Sequence, residues 1–195
     1  ASTTVDVAFR YNEDYFLFNP AFPPANEHTT TLGNFHLNHT RHFSEKITLG
    51  GGIQGYRTAI ESNDRGNHQE YQAAGYLISK FTPVPALTIG ASLRGDWHEV
   101  YGFELLPQAS ISYALSKTVL RATAGRSIRA ADYTERFISN NLPGPLPAGR
   151  NYGNPNLQAE SAWSAEAGLD HYFGSALKIS ATGFYRAGKN FIDYV

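Results

Sequence analysis

The 195-residue chain contains no cysteine and no methionine. Without cysteine there are no disulfides, no thiolate metal sites and no cysteine nucleophile. Without even an initiator methionine, the chain reads as processed or as a piece of something longer. An excess charge of one sign is missing too: 16 Lys and Arg face 17 Asp and Glu, for a net charge of −1. That balance excludes a nucleic-acid binder driven by phosphate attraction and a polybasic patch for membrane surfaces. Long apolar runs are also absent, so no transmembrane helix is expected. Charged residues make up only 17% of the chain, below the usual quarter or so.

Aromatics and glycine are abundant: 12 Tyr, 12 Phe, 2 Trp and 18 Gly. Apolar residues alternate with polar ones instead of recurring at helical spacing. Val5, Val7, Phe9 and Tyr11 alternate with Asp6, Ala8, Arg10 and Asn12. Leu87, Ile89, Ala91, Leu93 and Trp97 alternate with Thr88, Gly90, Ser92, Arg94, Asp96 and His98. Trp163, Ala165, Ala167 and Leu169 do the same, as do Leu177, Ile179, Ala181 and Tyr185. A period of two gives each strand one apolar and one polar face. The pattern predicts nine strands, at about 5–17, 30–43, 46–60, 69–82, 87–98, 105–115, 118–128, 160–173 and 176–187. Most are long enough to cross a bilayer when tilted.

The connections predict the architecture. Ser44-Glu45-Lys46, Pro83-Val84-Pro85, Ser116-Lys117 and Gly174-Ser175 are tight turns. The alternate connections, 18–29, 61–68, 99–104 and 129–159, tend to be longer and polar. Short turns at one end and long loops at the other is the pattern of an outer-membrane β-barrel. Phe43, Phe81, Tyr113 and Phe173 fall beside the short turns; Tyr11, Tyr15, Tyr71, Trp97, Tyr101, Trp163 and Tyr185 fall towards the loops. Two aromatic girdles are expected from these positions. The fold class is therefore all-β, an antiparallel up-and-down meander.

Three stretches carry a resemblance to a known family: Leu93-Arg94-Gly95-Asp96, Gly125-Arg126-Ser127-Ile128-Arg129-Ala130-Ala131, and Gly153-Asn154-Pro155-Asn156-Leu157-Gln158-Ala159-Glu160-Ser161. Glu166-x-Gly168 and the closing Asn190-Phe191-Ile192-Asp193-Tyr194 extend it. Together they resemble the barrel of TonB-dependent outer-membrane receptors of the ferric-siderophore and cobalamin group. Ala131 and Ala159 stand where that family usually has proline. The resemblance implies a 22-stranded barrel closed by a separate plug. Residues 1–195 would then be part of such a barrel domain, with no plug recognisable in them. It also implies outer-membrane lipid as surroundings, a chelated metal or cobalamin-like ligand, and TonB as partner through the plug. No resident cofactor, no nucleic acid and no enzymatic chemistry are implied. An open sheet of nine strands has unpaired edges, so the isolated piece is expected to self-associate through them.

In the third stretch, Asn154-Pro155 sets a turn, because the residue before a proline is pushed to extended geometry. Leu157 is a lone apolar anchor. Glu160 begins a strand and is placed to accept hydrogen bonds from loop backbone. Gly153, Asn154, Pro155, Leu157, Glu160, Glu166 and Gly168 are therefore read as structural.

Ligand contacts are expected from position and chemistry. Arg129, Tyr133, Arg136, Arg150 and Tyr152 mix cations with aromatics in the longest loop, which suits anionic chelates. Arg94, Asp96 and His98 sit high on the fifth strand. No metal site is expected. His36 and His42 share a face but lie roughly 20 Å apart along an extended strand, and His39 points the other way. Glu61, Asn63, Asp64 and His68 are read as solvated loop residues, and no EF-hand spacing is present. Gly50-Gly51-Gly52 lacks the Lys-Ser/Thr of a phosphate loop; such glycines in a strand mark close approach or bending. Two rivals remain: a soluble or surface-exposed β-sheet domain binding carbohydrate or protein, and a passive or adhesive barrel without plug or TonB coupling.

Overall fold

A computed structural model describes residues 1–17, 25–146 and 150–193. Most of the 18–29 connection, residues 147–149 of the longest loop and Tyr194 of the closing stretch lie outside the described residues. Nine strands form one sheet in sequence order: β1 (Ser2–Phe16), β2 (Asn26–His42), β3 (Ile47–Ser62), β4 (His68–Val84), β5 (Leu87–His98), β6 (Gly102–Leu115), β7 (Thr118–Arg129), β8 (Glu160–Phe173) and β9 (Leu177–Lys189). Every neighbouring pair is antiparallel. The sheet is open: β1 and β9 each have one strand neighbour.

Strands β1 to β4 run 15 to 17 residues, longer than alternation alone implied. The polar ends Asn26–Thr29 and Ser2–Thr4 still pair across the ladder, because backbone hydrogen bonds do not depend on side-chain polarity. The 61–68 and 99–104 connections are shorter than expected for the same reason. Pro83 and Val84 belong to β4, with a register shift between Phe81 and Val84. The longest loop carries a one-turn helix, α1 (Tyr133–Phe137), that no helical periodicity announced. Its capping box decides it: the Asp132 side chain accepts from the Glu135 N–H, and the Glu135 carboxylate accepts from the Asp132 N–H.

The register brings like residues together. Val7 faces Phe35, Leu37 faces Ile53, Leu77 faces Leu93, Ile89 faces Ile111 and Leu120 faces Leu169. On the other face Asp6 lies opposite His36, Tyr76 opposite Arg94, and Asp170 opposite Ser180. The apolar face is exposed; Val7 is 76% and Phe9 71% accessible. The polar face is more buried, holding His28, Asp96, His98 and Asp170. Ile60 is the one large apolar side chain fully buried among the described residues. This is the reverse of a water-soluble sheet, where the apolar side would be covered.

Two local features shape the wall. Tyr76 on β4 lies across β3, its hydroxyl donating to Asn38 Oδ1 (3.0 Å) and standing 2.7 Å from His36 Nε2. Gly52 makes the space: a Cβ there would stand 2.3 Å from the Leu37 carbonyl and 2.6 Å from the Tyr76 hydroxyl. Further along, the β6–β7 ladder ends at Gln108 and Gly125, beside Pro107, which has no N–H to donate. Arg126 fills the gap, donating to the Leu105 carbonyl (2.9 Å) and to Glu104 Oε2 (2.6 Å).

Replacing Gly52 with valine is expected to cost about 1–3 kcal/mol through overpacking. A lower urea midpoint of the refolded protein in detergent would check this; an unchanged midpoint would mean Tyr76 moves aside freely.

Candidate functional site

Between β7 and β8, residues 130–146 and 150–159 fold over the polar face at the long-loop end. The base of this loop is clamped by Arg129. That guanidinium donates to Glu160 (2.8 and 3.0 Å) and to Glu135 (2.9 and 3.0 Å). Glu160 also accepts from the Ile192 N–H at 2.7 Å. Arg129, named above for ligand contact, is thus engaged in holding the loop to the barrel wall.

The Gly153-Asn154-Pro155 turn grips the other side of α1. The Gly153 N–H donates to the Ile138 carbonyl (2.8 Å) and the Asn154 N–H to the Glu135 carbonyl (3.1 Å). Asn154 Oδ1 then accepts from the Asn156 N–H (3.0 Å). A Cβ on residue 153 would stand 2.3 Å from the Phe137 nitrogen, so only glycine lets the two segments touch. Glu166 and Gly168 lie lower on β8; a Cβ at Gly168 would meet the Thr182 hydroxyl at 2.8 Å.

From this base the loop crosses to β3 and β4. Tyr133 places its hydroxyl 3.1 Å from Thr58 Oγ1 and donates to the Thr58 carbonyl at 3.2 Å. Burial raises its pKa above the ordinary tyrosine value. Arg136, 7% exposed, pairs with Glu70 on β4 and lies over the Phe137 ring, 4.6 Å from its centroid. Phe137 stacks on His68 at 3.5 Å. Arg150 donates to Asp64 Oδ1 at 2.6 Å, and Asp64 is fully buried.

Glu70 joins this loop to the β5 group. His98 Nε2 lies 3.6 Å from Glu70 Oε2, and its ring stacks on Tyr101 at 4.5 Å. Tyr101 donates to Asp96 (3.1 Å), so it turns inward and is not part of an outer aromatic belt. Burial first, and the Asp96 carboxylate second, push its pKa up. Asp96, 2% exposed, also accepts from Gln72 (2.8 Å) and Arg94 (2.8 Å). Arg94 reaches Gln54 as well.

The structure therefore brings Arg94, Asp96, His98, Tyr133 and Arg136 to one wall. It places Arg150 at a second point and Arg129 at the loop base, and leaves Tyr152 exposed at 61%. Sequence reasoning missed Glu70, Gln54 and Gln72. Each shares the polar-face parity of its strand, but parity alone does not tell which partner a loop will bring. Arg94 and Arg136 on this wall each have an acidic or amide partner, so the surface is a paired network and not a bare cationic patch. Among the described residues, no group of three or more His, Cys, Asp or Glu is placed to hold a metal ion.

The profile of the family described as "TonB dependent receptor-like, beta-barrel" matches residues 2–195. The chain belongs to this family. It is a family of receptors, not of enzymes, and TonB-dependent receptor barrels are outer-membrane proteins. No curated protein matches the sequence. Among solved structures, the siderophore receptor PirA from Pseudomonas aeruginosa shares 18% identity at a TM-score of 0.68, over 84% of this chain and 32% of its own. A mutant ferric enterobactin receptor PfeA from the same organism shares 17% at 0.69, over 96% and 31%. The copper transporter OprC shares 15% at 0.69, over 86% and 31%. At these identities the likeness is one of fold. The chain spans about a third of the length of each of these three proteins.

Two predictions test the loop geometry. Glu70→Ala strands the Arg136 charge in a buried site, at a cost of about 3–5 kcal/mol; the loop should then be cut by protease while the strands stay protected. Gly153→Ala should produce the same nicking, and equal resistance to wild type would show that the α1 contact is dispensable.

Proposed function

We propose that this chain forms part of the barrel wall of an outer-membrane receptor that takes up a metal chelate, namely a ferric siderophore, or a cobalamin-like molecule. The observation that carries the reading is the inverted sheet. Its apolar face is open and suits lipid; its polar face, more buried, suits a water-filled or plugged interior. A soluble carbohydrate- or protein-binding domain would leave that apolar face in water, where large exposed patches drive association.

In this reading β1 and β9 pair with further strands. Unpaired backbone groups in lipid cost several kcal/mol each, and isolated copies would satisfy them by associating edge to edge. A plug and TonB supply the energy coupling. Cargo sits at the loop end, against Arg94, Asp96, His98, Tyr133, Arg136, Arg150 and Tyr152. Because those cations are already paired, recognition relies on shape and aromatic contact, with charge in a supporting part. Siderophore receptors and a copper transporter among the structural neighbours support a metal-bearing cargo.

The test is a receptor in which residues 133–152 are replaced by a short Gly-Ser linker. Binding of a ferric siderophore is expected to weaken at least tenfold while the barrel keeps its heat-resistant migration on gels. Unchanged affinity would remove the loop from the cargo site.

A further inference from the structure

A groove of about 580 Å³ runs across β1 to β5 on the exposed apolar face, the side opposite the paired wall. Phe9, Phe35 and Trp97 wall it, and all three are exposed. Gly33, Gly55 and Ala73 floor it. A Cβ on Gly33 or Gly55 would meet nothing within 4 Å, so no packing inside the sheet requires these glycines; they leave open space over the strands. Arg57 ends the groove, opposite Tyr71 in the register. Its guanidinium is exposed and donates to the neutral Gln69 side chain, and none of the ion pairs among the described residues includes it. The Tyr71 hydroxyl accepts from Gln69 Nε2 at 2.6 Å, which leaves its own hydrogen to donate.

Height decides what meets this guanidinium. The ten residues from Ile47 to Arg57 on β3 span about 33 Å of strand, or about 25 Å once tilted by roughly 40°, the height of a barrel's apolar band. Arg57 therefore stands at the edge of that band on the long-loop side, level with Tyr71. A charge on the lipid face is tolerated there and not at the midplane, because headgroups lie within reach. Long loops mark the outer leaflet, whose anionic lipid is lipopolysaccharide. Glu61 and Glu13 share this face but lie farther out, Glu61 about 13 Å beyond Arg57 along the strand. Glu99 accepts from the Tyr71 N–H at 3.2 Å. A guanidinium holds phosphate through parallel hydrogen bonds, and a glycine floor between aromatic walls admits a hydrocarbon chain. We infer that this groove binds one lipopolysaccharide molecule, with a lipid A phosphate on Arg57 and Tyr71 and an acyl chain along Gly33 and Gly55.

The inference rests on the lipid-facing reading of this sheet, and the experiment separates the two. The whole receptor is extracted from the outer membrane of a host with truncated lipopolysaccharide, delipidated in detergent, and weighed by native mass spectrometry. The wild type is expected to keep lipopolysaccharide at an occupancy at least threefold above that of Arg57→Gln and of Gly55→Leu. Arg57→Lys should restore at least half of the difference, because a point charge still binds phosphate. Added lipid A should give the same order, and lipid A stripped of its phosphates should bind the wild type and Arg57→Gln equally. Gly55→Leu tests the groove without touching the charge, and its side chain enters open space. Equal occupancy in the wild type and both variants, or a phospholipid in place of lipopolysaccharide, would overturn the inference and leave the lipid-facing reading standing. A receptor that stays monomeric without detergent would overturn both.

Discussion

Backbone hydrogen bonding is the constraint on which the rest of this molecule depends. In hydrocarbon there is no water to pair with N–H and C=O groups, so a spanning strand must find both neighbours. The meander supplies them along most of β2 to β8 through eight antiparallel ladders, broken by the register shift near Val84 and by the early end of the β6–β7 ladder beside Pro107. Once the backbone is satisfied in this way, side chains are free to sort by face alone. Leu, Ile, Val and aromatics occupy the side that needs no partner, and the charged residues occupy the side where loop and wall can pair them.

That sorting explains why the buried residues are polar. The ladder of partners from Gln54 through Arg94 and Asp96 to Tyr101, and from His98 through Glu70 to Arg136, crosses three strands and two loops. Low local dielectric strengthens such a network when every member is paired and penalises it when one is not. The described parts of the loop are tied to the wall by such pairs, Arg136 with Glu70 and Arg150 with Asp64, although they hold only one turn of helix. The two ends of the loop are fixed by different means: Arg129 with Glu160 by charge, and Gly153 against α1 by the absence of a side chain.

The sheet was legible in the residues. Alternation at Val5–Tyr11 or Leu87–Trp97 states both the strand and its faces, because a pleat repeats every two residues. The Gly153–Ser161 stretch was legible as structural for a similar reason, since Asn-Pro and a lone glycine restrict the local chain. Strand ends were less legible: Asn26–Thr29 carries no apolar signal yet pairs with β1. The helix α1 was missed because one turn has no periodicity to read, and only its capping box marks it.

The candidate site divides along the same line. Which residues face inward on each strand follows from local alternation, and the chain alone settles it. Which of them meet does not. Glu70 and Arg136 are 66 positions apart, Asp64 and Arg150 are 86 apart, and nothing in either neighbourhood specifies the other. Register and the path of the long loop bring them together. Those depend on the summed pairing of whole strands, a non-local quantity. Period two is a property of a few adjacent residues, whereas a buried ion pair is a property of the assembled wall.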